Sequence, residues 1–242
     1  AKRGRLALVA TLLAAGLAMS CARTIHQRNA VHILTADAVV NPVLEGYIDR
    51  GIDQAERTDA KAVVIKLDTP GGLSSSMERI VQRIQSAKLP VIVYVAPSGA
   101  KAASAGTFIT MSAHVAAMAP GTSIGAAHPI SSSGEDIPGT LGKKVENNAA
   151  AYARSIAEQH GRNADWAERA VRDSVSAPTS EAVEKHIVDF AADDVDALLR
   201  QSDGRTVAVG GNAVTLSGLT SAPRISNGMT LLERLLLVLS DP

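Results

Sequence analysis

The sequence predicts an α/β fold in which a parallel sheet of βαβ units is flanked by helices. Residues 62–67 and 91–95 are almost entirely apolar, which is typical of strands buried on both faces of a parallel sheet. Residues 43–55 and 75–86 have the pattern of helices, so strands and helices alternate along the chain. With 242 residues, the chain is long enough for one such domain with short appendages.

The remaining elements continue this alternation. Further strands are predicted at residues 30–35, 38–40, 115–118, 123–126 and 187–190. Further helices are predicted after Ser104 and at residues 144–159, 164–172, 180–186 and 195–201. A Ser/Gly/Pro-rich stretch at 131–139 predicts a mobile loop or lid, and residues 206–216 predict a hairpin.

The amino terminus has the pattern of a targeting segment. A basic start, Lys2-Arg3-Gly4-Arg5, precedes an apolar run at 6–17 and a small-x-small site at 18–20. The apolar run is shorter than the roughly 20 residues that a spanning helix needs, which favours a cleaved signal over an uncleaved anchor. We therefore expect residues 1–22 to be a signal peptide or membrane anchor. The following divisions are expected after it: a catalytic domain at 30–202, a small β-hairpin extension at 203–228, and an apolar tail at 229–242 that leads to a truncated membrane region.

Composition excludes several function classes. Lys plus Arg and Asp plus Glu both number 24, so the chain has no net basic charge to attract nucleic acid. Aromatic residues make up only 2% of the chain, which leaves no stacking platform for bases. The single cysteine, Cys21, excludes an intrachain disulfide and a thiolate-rich zinc site.

Two glycine-rich turns carry the predicted chemistry. Thr69-Pro70-Gly71-Gly72 and Ala102-Ala103-Ser104-Ala105-Gly106 each follow a strand-like segment and open a helix-like one. Such turns expose unpaired backbone N–H groups at a helix start, where they can hold an anion. One turn could hold an oxyanion while the other presents the Ser104 hydroxyl. The sequence therefore predicts a serine hydrolase, and a peptidase in particular.

A serine nucleophile requires a base, and the residues offer two. Lys144 lies at the start of an amphipathic helix after the lid-like loop, and a lysine can act as a base where burial removes water from its ammonium group. His128 is the alternative base, since it also follows Ser104 in the chain. The residues alone leave this choice open.

Three motifs resemble the NfeD family of membrane-bound serine proteases, in the ClpP/crotonase superfamily. They are residues 67–72, 102–107 and 118–129, and the resemblance extends over most of residues 30–200. It implies a ClpP/crotonase-like fold with Ser104 as nucleophile and Lys144 as general base. It also implies an oxyanion hole formed by Gly71, Gly72 and the amide of Ala105, with no metal or cofactor. His128 lies where ClpP carries its catalytic histidine, so the Ser-His alternative stays open.

The resemblance further implies a membrane-associated endopeptidase that cleaves hydrophobic segments of membrane proteins such as stomatin-like partners. We expect a homodimer or larger assembly, exported so that the protease domain lies on the periplasmic or extracytoplasmic side. Two alternatives remain at this stage. One is a crotonase-type enzyme acting on acyl-CoA thioesters, and the other is a catalytically inactive ClpP-like scaffold.

Overall fold

A six-stranded parallel sheet forms the centre of the molecule. The computed structural model describes residues 28–131 and 133–239, so the expectations for residues 1–22 lie outside the described residues. The strand order is β11-β1-β2-β3-β5-β8, and every neighbouring pair is parallel. The strands are β1 (Val31–Asp37), β2 (Ala62–Asp68), β3 (Val91–Val95), β5 (Val115–Met118), β8 (Phe190–Ala191) and β11 (Arg224–Asn227). The predicted α/β class with a parallel sheet is confirmed.

Two smaller sheets complete the strands. The first has the order β4-β6-β7 and consists of β4 (Lys101–Ala103), β6 (Ser123–Gly125) and β7 (Ser176–Pro178). The second is an antiparallel hairpin of β9 (Thr206–Val209) and β10 (Asn212–Thr215). The three-stranded sheet matters most for function, because β4 ends directly before Ser104.

Eight helices are described. They are α1 (Pro42–Arg57), α2 (Ser74–Gln85), α3 (Ala105–Met111), α4 (Gly139–Gln159), α5 (Ala164–Arg172), α6 (Thr179–Glu184), α7 (Val195–Ser202) and α8 (Leu231–Leu239). The start of α1 shows how local sequence fixes a boundary. Asn41 accepts the N–H groups of Val43 and Leu44 on Oδ1, both at 3.0 Å, and Pro42 occupies the first turn, where no N–H is needed.

The core lies on both faces of the sheet. In β2, Val63, Ile65 and Leu67 contact one cluster, while Ala62 and Val64 contact the other. The first cluster is completed by helices α1 to α6, and the second by α7 and the segment around Leu216 and Leu219. Because side chains alternate between faces and both faces are covered, the central strands must be apolar throughout.

Several predicted elements differ from the structure. Residues 38–40 form no strand; only Val40 makes an isolated bridge, with Gly72. Helix α4 begins at Gly139 rather than at 144, so it takes in only the last residue of the loop predicted at 131–139. Strands β4, β7 and β11 were not predicted, because each has only three or four residues and is stabilised by partners distant in the sequence.

The apolar end of the chain forms α8. Its side chains at Leu231, Leu232, Leu235, Val238 and Leu239 are exposed, and Glu233 ties the helix to the body through an ion pair with Arg50 at 2.6 Å. Among the helices of residues 28–131 and 133–239, none has both the length and the hydropathy to cross a membrane.

A buried polar cluster lies at the amino-terminal edge of the sheet. The His114 and His160 rings meet edge to face at 6.1 Å, and Nδ1 of His114 accepts the Val91 N–H at 3.1 Å. Burial lowers the pKa of both histidines to about 4. They are therefore neutral in the folded protein at pH 7.

These histidines predict a loss of stability in acid. An unfolded histidine has a pKa near 6.5, so between about pH 6.5 and 4 the unfolded chain binds more protons and the free energy of unfolding falls as the pH falls. We expect a loss on the order of 2 kcal/mol or more from this pair by pH 4.5. Urea unfolding at pH 7 and 4.5 should show a smaller drop for His114→Asn/His160→Gln than for the wild type. An equal drop in both proteins would contradict the assignment.

Candidate active site

The two glycine-rich turns meet at the carboxyl end of the sheet. A Cβ atom built on Gly71 would lie 2.7 Å from Cβ and 3.2 Å from Oγ of Ser104, and only glycine leaves room for this approach. Gly71 has a φ of +118° and Gly72 a φ of +151°, so both occupy backbone space that other residues rarely adopt. The structure thus brings together Ser104 and the glycine turn that the sequence paired with it.

The backbone at Ser104 is held in a strained conformation. Its φ is +50°, which is unusual for a residue with a side chain and costs about 1–3 kcal/mol. The Ser104 N–H donates to the carbonyl of Gly125 at 3.1 Å, and its own carbonyl accepts the N–H of Thr107 at 2.9 Å. Thr107 also donates its hydroxyl to the Ala102 carbonyl at 3.0 Å. These bonds, from β6 and from the first turn of α3, keep the Ser104 side chain at the junction of β4 and α3.

The amides around the serine are not equivalent. The Gly71 N–H donates to Oγ1 of Thr69 at 3.1 Å, so it is already engaged. At Gly72, the bridge to Val40 uses the Gly71 carbonyl and the Leu73 N–H, which leaves the Gly72 amide directed away from Val40. Ala105 is the first residue of α3, where a backbone N–H has no partner inside the helix. Gly72 and Ala105 are therefore better placed than Gly71 to donate to a ligand.

A small apolar pocket opens beside Ser104. It encloses about 100 Å³ and is lined by Gly72, Ser74, Met77, Glu78, Ser104, Ala105, Phe108, Ala127, Pro129, Val145, Asn148, Ala149 and Tyr152. The Phe108 and Tyr152 rings stack with centroids 5.9 Å apart. Burial, together with the charge of Glu78, raises the pKa of Tyr152 to about 12, so its hydroxyl stays protonated at neutral pH. The pocket can accept an apolar side chain of modest size next to the serine.

Lys144 lies outside this pocket. It is exposed on α4 and is absent from the pocket lining, so burial by the described residues does not remove water from its ammonium group. Asn148 and Tyr152 follow it at intervals of four residues, and both line the pocket. Because residues four apart share one face of a helix, Lys144 lies on the row that leads out of the pocket, one turn beyond its rim.

His128 faces a different set of groups. Its Nδ1 lies 2.9 Å from the carbonyl of Val171, and a carbonyl can only accept, so Nδ1 carries the proton. Its Nε2 lies 3.8 Å from a carboxylate oxygen of Asp136. These contacts tie the segment after β6 to α5 and to the loop before α4. Neither ring nitrogen is hydrogen-bonded to Ser104 in the described structure.

Sequence reasoning missed three contributors to this site. Thr69 engages the Gly71 amide, Thr107 fixes the start of α3, and Glu78 lines the pocket. Thr69 and Thr107 do stand inside the motifs that carried the resemblance. Their hydrogen bonds, however, accompany the positive φ angles of Gly71 and Ser104, which the sequence does not reveal.

The close approach at Gly71 gives a specific prediction. In Gly71→Ala the new methyl group would collide with Ser104, and we expect the catalytic rate on a peptide substrate to fall about 100-fold, as for a displacement near 1 Å. Gly46→Ala is the matched control, because a Cβ at this helical glycine meets no atom within 4 Å. Steady-state kinetics on both variants, with circular dichroism to verify folding, would check this. A folded Gly71→Ala variant with wild-type kcat would refute it.

A family model and two known proteins match this chain in sequence. A family model described as "NfeD1b, N-terminal domain" matches residues 30–212. Membrane-bound protease PH1510 of Pyrococcus horikoshii is 42% identical over 195 residues, which is 78% of this chain and 44% of that protein. Membrane protein NfeD1b of Bacillus subtilis is 30% identical over 101 residues, which is 42% of this chain and 22% of that protein. The chain thus spans less than half the length of these two relatives.

Solved structures agree with these matches. The 1510-N membrane protease specific for a stomatin homolog from Pyrococcus horikoshii superposes with a TM-score of 0.77 at 35% identity, covering 88% of this chain and 100% of that one. A lysine-to-alanine mutant of the 1510-N stomatin-specific protease with a substrate peptide gives a TM-score of 0.81 at 37% identity, covering 88% of this chain and 98% of that one. ClpP1 from Listeria monocytogenes, 16% identical with a TM-score of 0.57, covers 74% of this chain and 99% of that one, and it supports the ClpP-like fold alone.

Proposed function

Because this chain belongs to the NfeD1b N-terminal domain family, we propose that it is a membrane-associated serine endopeptidase with a Ser104–Lys144 dyad. The observation that carries this proposal is the strained Ser104 facing the Gly71-Gly72 turn beside an apolar pocket. Support comes from the relative 1510-N, which was solved both with a serine and with a lysine replaced by alanine. The sequence-based resemblance to the NfeD family is confirmed.

The proposed reaction is acyl transfer. Neutral Lys144 removes the proton from Ser104 Oγ as this oxygen attacks the peptide carbonyl carbon, and the Gly72 and Ala105 amides bind the resulting oxyanion. When the C–N bond breaks, the Lys144 ammonium returns the proton to the leaving amine. Water then attacks the acyl-serine ester, with Lys144 again as base. As the C–Oγ bond of the ester breaks, the Lys144 ammonium returns the proton to Ser104 Oγ and the second product leaves. The role of Gly71 in this scheme is to let the two turns approach, since its own amide is held by Thr69.

We propose that a bound substrate removes water from Lys144. Its side chain is exposed in the free chain, as are three apolar side chains that adjoin pocket-lining residues in the chain or on the same helix. Leu73, Ile130 and Leu141 are 54%, 56% and 63% exposed. A hydrophobic peptide segment laid across this rim would bury those side chains and remove water from Lys144. This is the physical reason to propose hydrophobic segments, such as those of stomatin-like membrane proteins, as substrates.

The setting of the enzyme is proposed from the same family. Its relatives are named membrane-bound or membrane proteins. We propose export through the segment at 1–22, with the protease domain at 30–202 on the extracytoplasmic side. We further propose a homodimer or larger assembly. Sedimentation of the full chain would show a monomer if the assembly proposal is wrong.

Peptide cleavage tests the function directly. The full chain is incubated with peptides that carry an apolar stretch, including the carboxyl-terminal segment of a stomatin-like protein, and with polar peptides of equal length. We expect products only from the apolar peptides, read by mass spectrometry. Absence of any product would favour the inactive scaffold. Hydrolysis of an acyl-CoA instead would favour the thioester enzyme; the protease names of the relatives do not favour either alternative.

A further inference from the structure

A buried arginine binds the carboxyl end of α3, the helix that follows Ser104. Arg162, in the turn between α4 and α5, has a side chain only 3% exposed. One guanidinium nitrogen, Nη1, donates to the carbonyls of Met111 at 2.8 Å and Ala113 at 2.9 Å. The other, Nη2, donates to Oδ2 of Asp189 at 2.9 Å. Arg162 thus connects the carboxyl end of α3 to Asp189, the residue directly before strand β8.

The carbonyl groups at this end of α3 can be accounted for one by one. The last four carbonyls of a helix have no partner inside it. Phe108 and Thr110 carbonyls accept the N–H groups of Ser112 and Ala113, and the Ile109 carbonyl accepts the Ser112 hydroxyl. The fourth, at Met111, accepts from Arg162. A cation at a helix carboxyl end also interacts favourably with the helix dipole.

Asp189 holds the arginine in place. Its Oδ2 also accepts the N–H of Ala116 in β5 at 2.6 Å, and its own N–H donates to the Ala116 carbonyl at 2.8 Å. The guanidinium is therefore fixed against the central sheet through Asp189. Any force on α3 at Met111 is resisted by β5, which does not belong to the site.

We propose that Arg162 is a positioning residue that anchors the nucleophile helix from its carboxyl end. Helix α3 has seven residues, about 10 Å of helix, so its two ends move together. Residues 104 and 105 stand at one end and the Arg162 anchor at the other. Loss of the anchor lets α3 shift and moves Ser104 Oγ and the Ala105 amide relative to Gly72. Ala105 and Phe108 of α3 line the substrate pocket, so a shift of this helix also raises KM, but by a smaller factor than it lowers kcat. The inference rests on the proposed function for its kinetic part only.

The test removes both charges together. Arg162→Met alone would leave the Asp189 carboxylate buried without its partner, which can prevent folding. Arg162→Met/Asp189→Asn retains an acceptor for the Ala116 N–H and leaves no unpaired charge. Arg162→Lys keeps the charge and can restore one carbonyl contact. Arg83→Met is the matched control, since Arg83 is also largely buried, at 18% exposure, but pairs with Asp49 and Glu56 of α1.

Two measurements test the positioning role of Arg162 separately from the proposed protease function. Hydrogen exchange of a peptide covering residues 105–113 should be at least tenfold faster in the double variant, near wild type in Arg162→Lys, and unchanged in Arg83→Met. In peptide cleavage, kcat of the double variant should fall at least tenfold, by a larger factor than KM rises, with partial recovery in Arg162→Lys. Unchanged exchange, or wild-type kcat in the folded double variant, overturns the anchor. Should the wild type cleave nothing, the protease proposal fails while the exchange measurement still decides on Arg162.

Discussion

Replacing Ser104 by alanine is expected to abolish peptide cleavage while leaving the fold intact. Without Oγ no acyl-enzyme can form, and the loss should be roughly 10⁴- to 10⁶-fold in kcat, as for other serine nucleophiles. Stability should hardly change, because the hydroxyl has no hydrogen bond in the described structure and alanine tolerates the same backbone no worse than serine does. The measurement is kcat on an apolar peptide, with thermal unfolding of both proteins.

The control for this variant is Ser98→Ala, which removes a hydroxyl from an exposed turn at the same end of the sheet. It should cleave like the wild type. A serine-directed phosphonate gives a second readout, since it should add one phosphonyl group to the wild type and to Ser98→Ala, with none on Ser104→Ala. Full cleavage or full labelling in Ser104→Ala would show that another group is the nucleophile.

The sequence predicted the core of the fold because its strands are continuously apolar. Strands β2 and β3 and helix α2 were all placed within one residue of their observed bounds. Strand β11 was missed because its four residues are mostly polar and pair with β1, about 190 positions earlier. The start of α4 was also misplaced. Gly139 and Gly142 are poor helix formers, but a Cβ atom at Gly142 would collide with the Ile137 carbonyl, so the chain entering this helix requires glycine there.

The site shows the same division between local pattern and tertiary contact. Ser104 and the glycine turn could be paired from their motifs, since each turn lies between a strand and a helix. The hydrogen bond from the Gly71 amide to Thr69 could not be predicted from the sequence, because it depends on a φ of +118° at Gly71 that only the packed turn defines. Likewise, the pattern of α4 gave Lys144 a helical position. It did not give the exposure of that position, which depends on how far the helix extends beyond the pocket.

The choice of base can be decided with two adjacent lysines. Lys144 and Lys143 are both exposed on α4, but they point along different rows of the helix. The row of Lys144 continues to Asn148 and Tyr152 in the pocket. The next residue on the row of Lys143 is Asn147, whose side chain accepts from Arg172 at 2.7 Å and therefore faces α5. Either substitution by alanine removes one positive charge from the same turn, so the pair controls for charge.

We expect Lys144→Ala to lower kcat about 10²- to 10⁴-fold, the usual contribution of a general base, and Lys143→Ala to stay within about threefold of the wild type. His128→Ala should retain cleavage within about tenfold, because its ring bonds to Val171 and faces Asp136 rather than Ser104. The measurement is kcat for each variant on one apolar peptide at a fixed pH. Equal losses of kcat in both lysine variants would show that Lys144 contributes only a surface charge and is not the base. A dead His128→Ala beside an active Lys144→Ala would transfer the role of base to the histidine, which would have to leave Val171 to reach the serine.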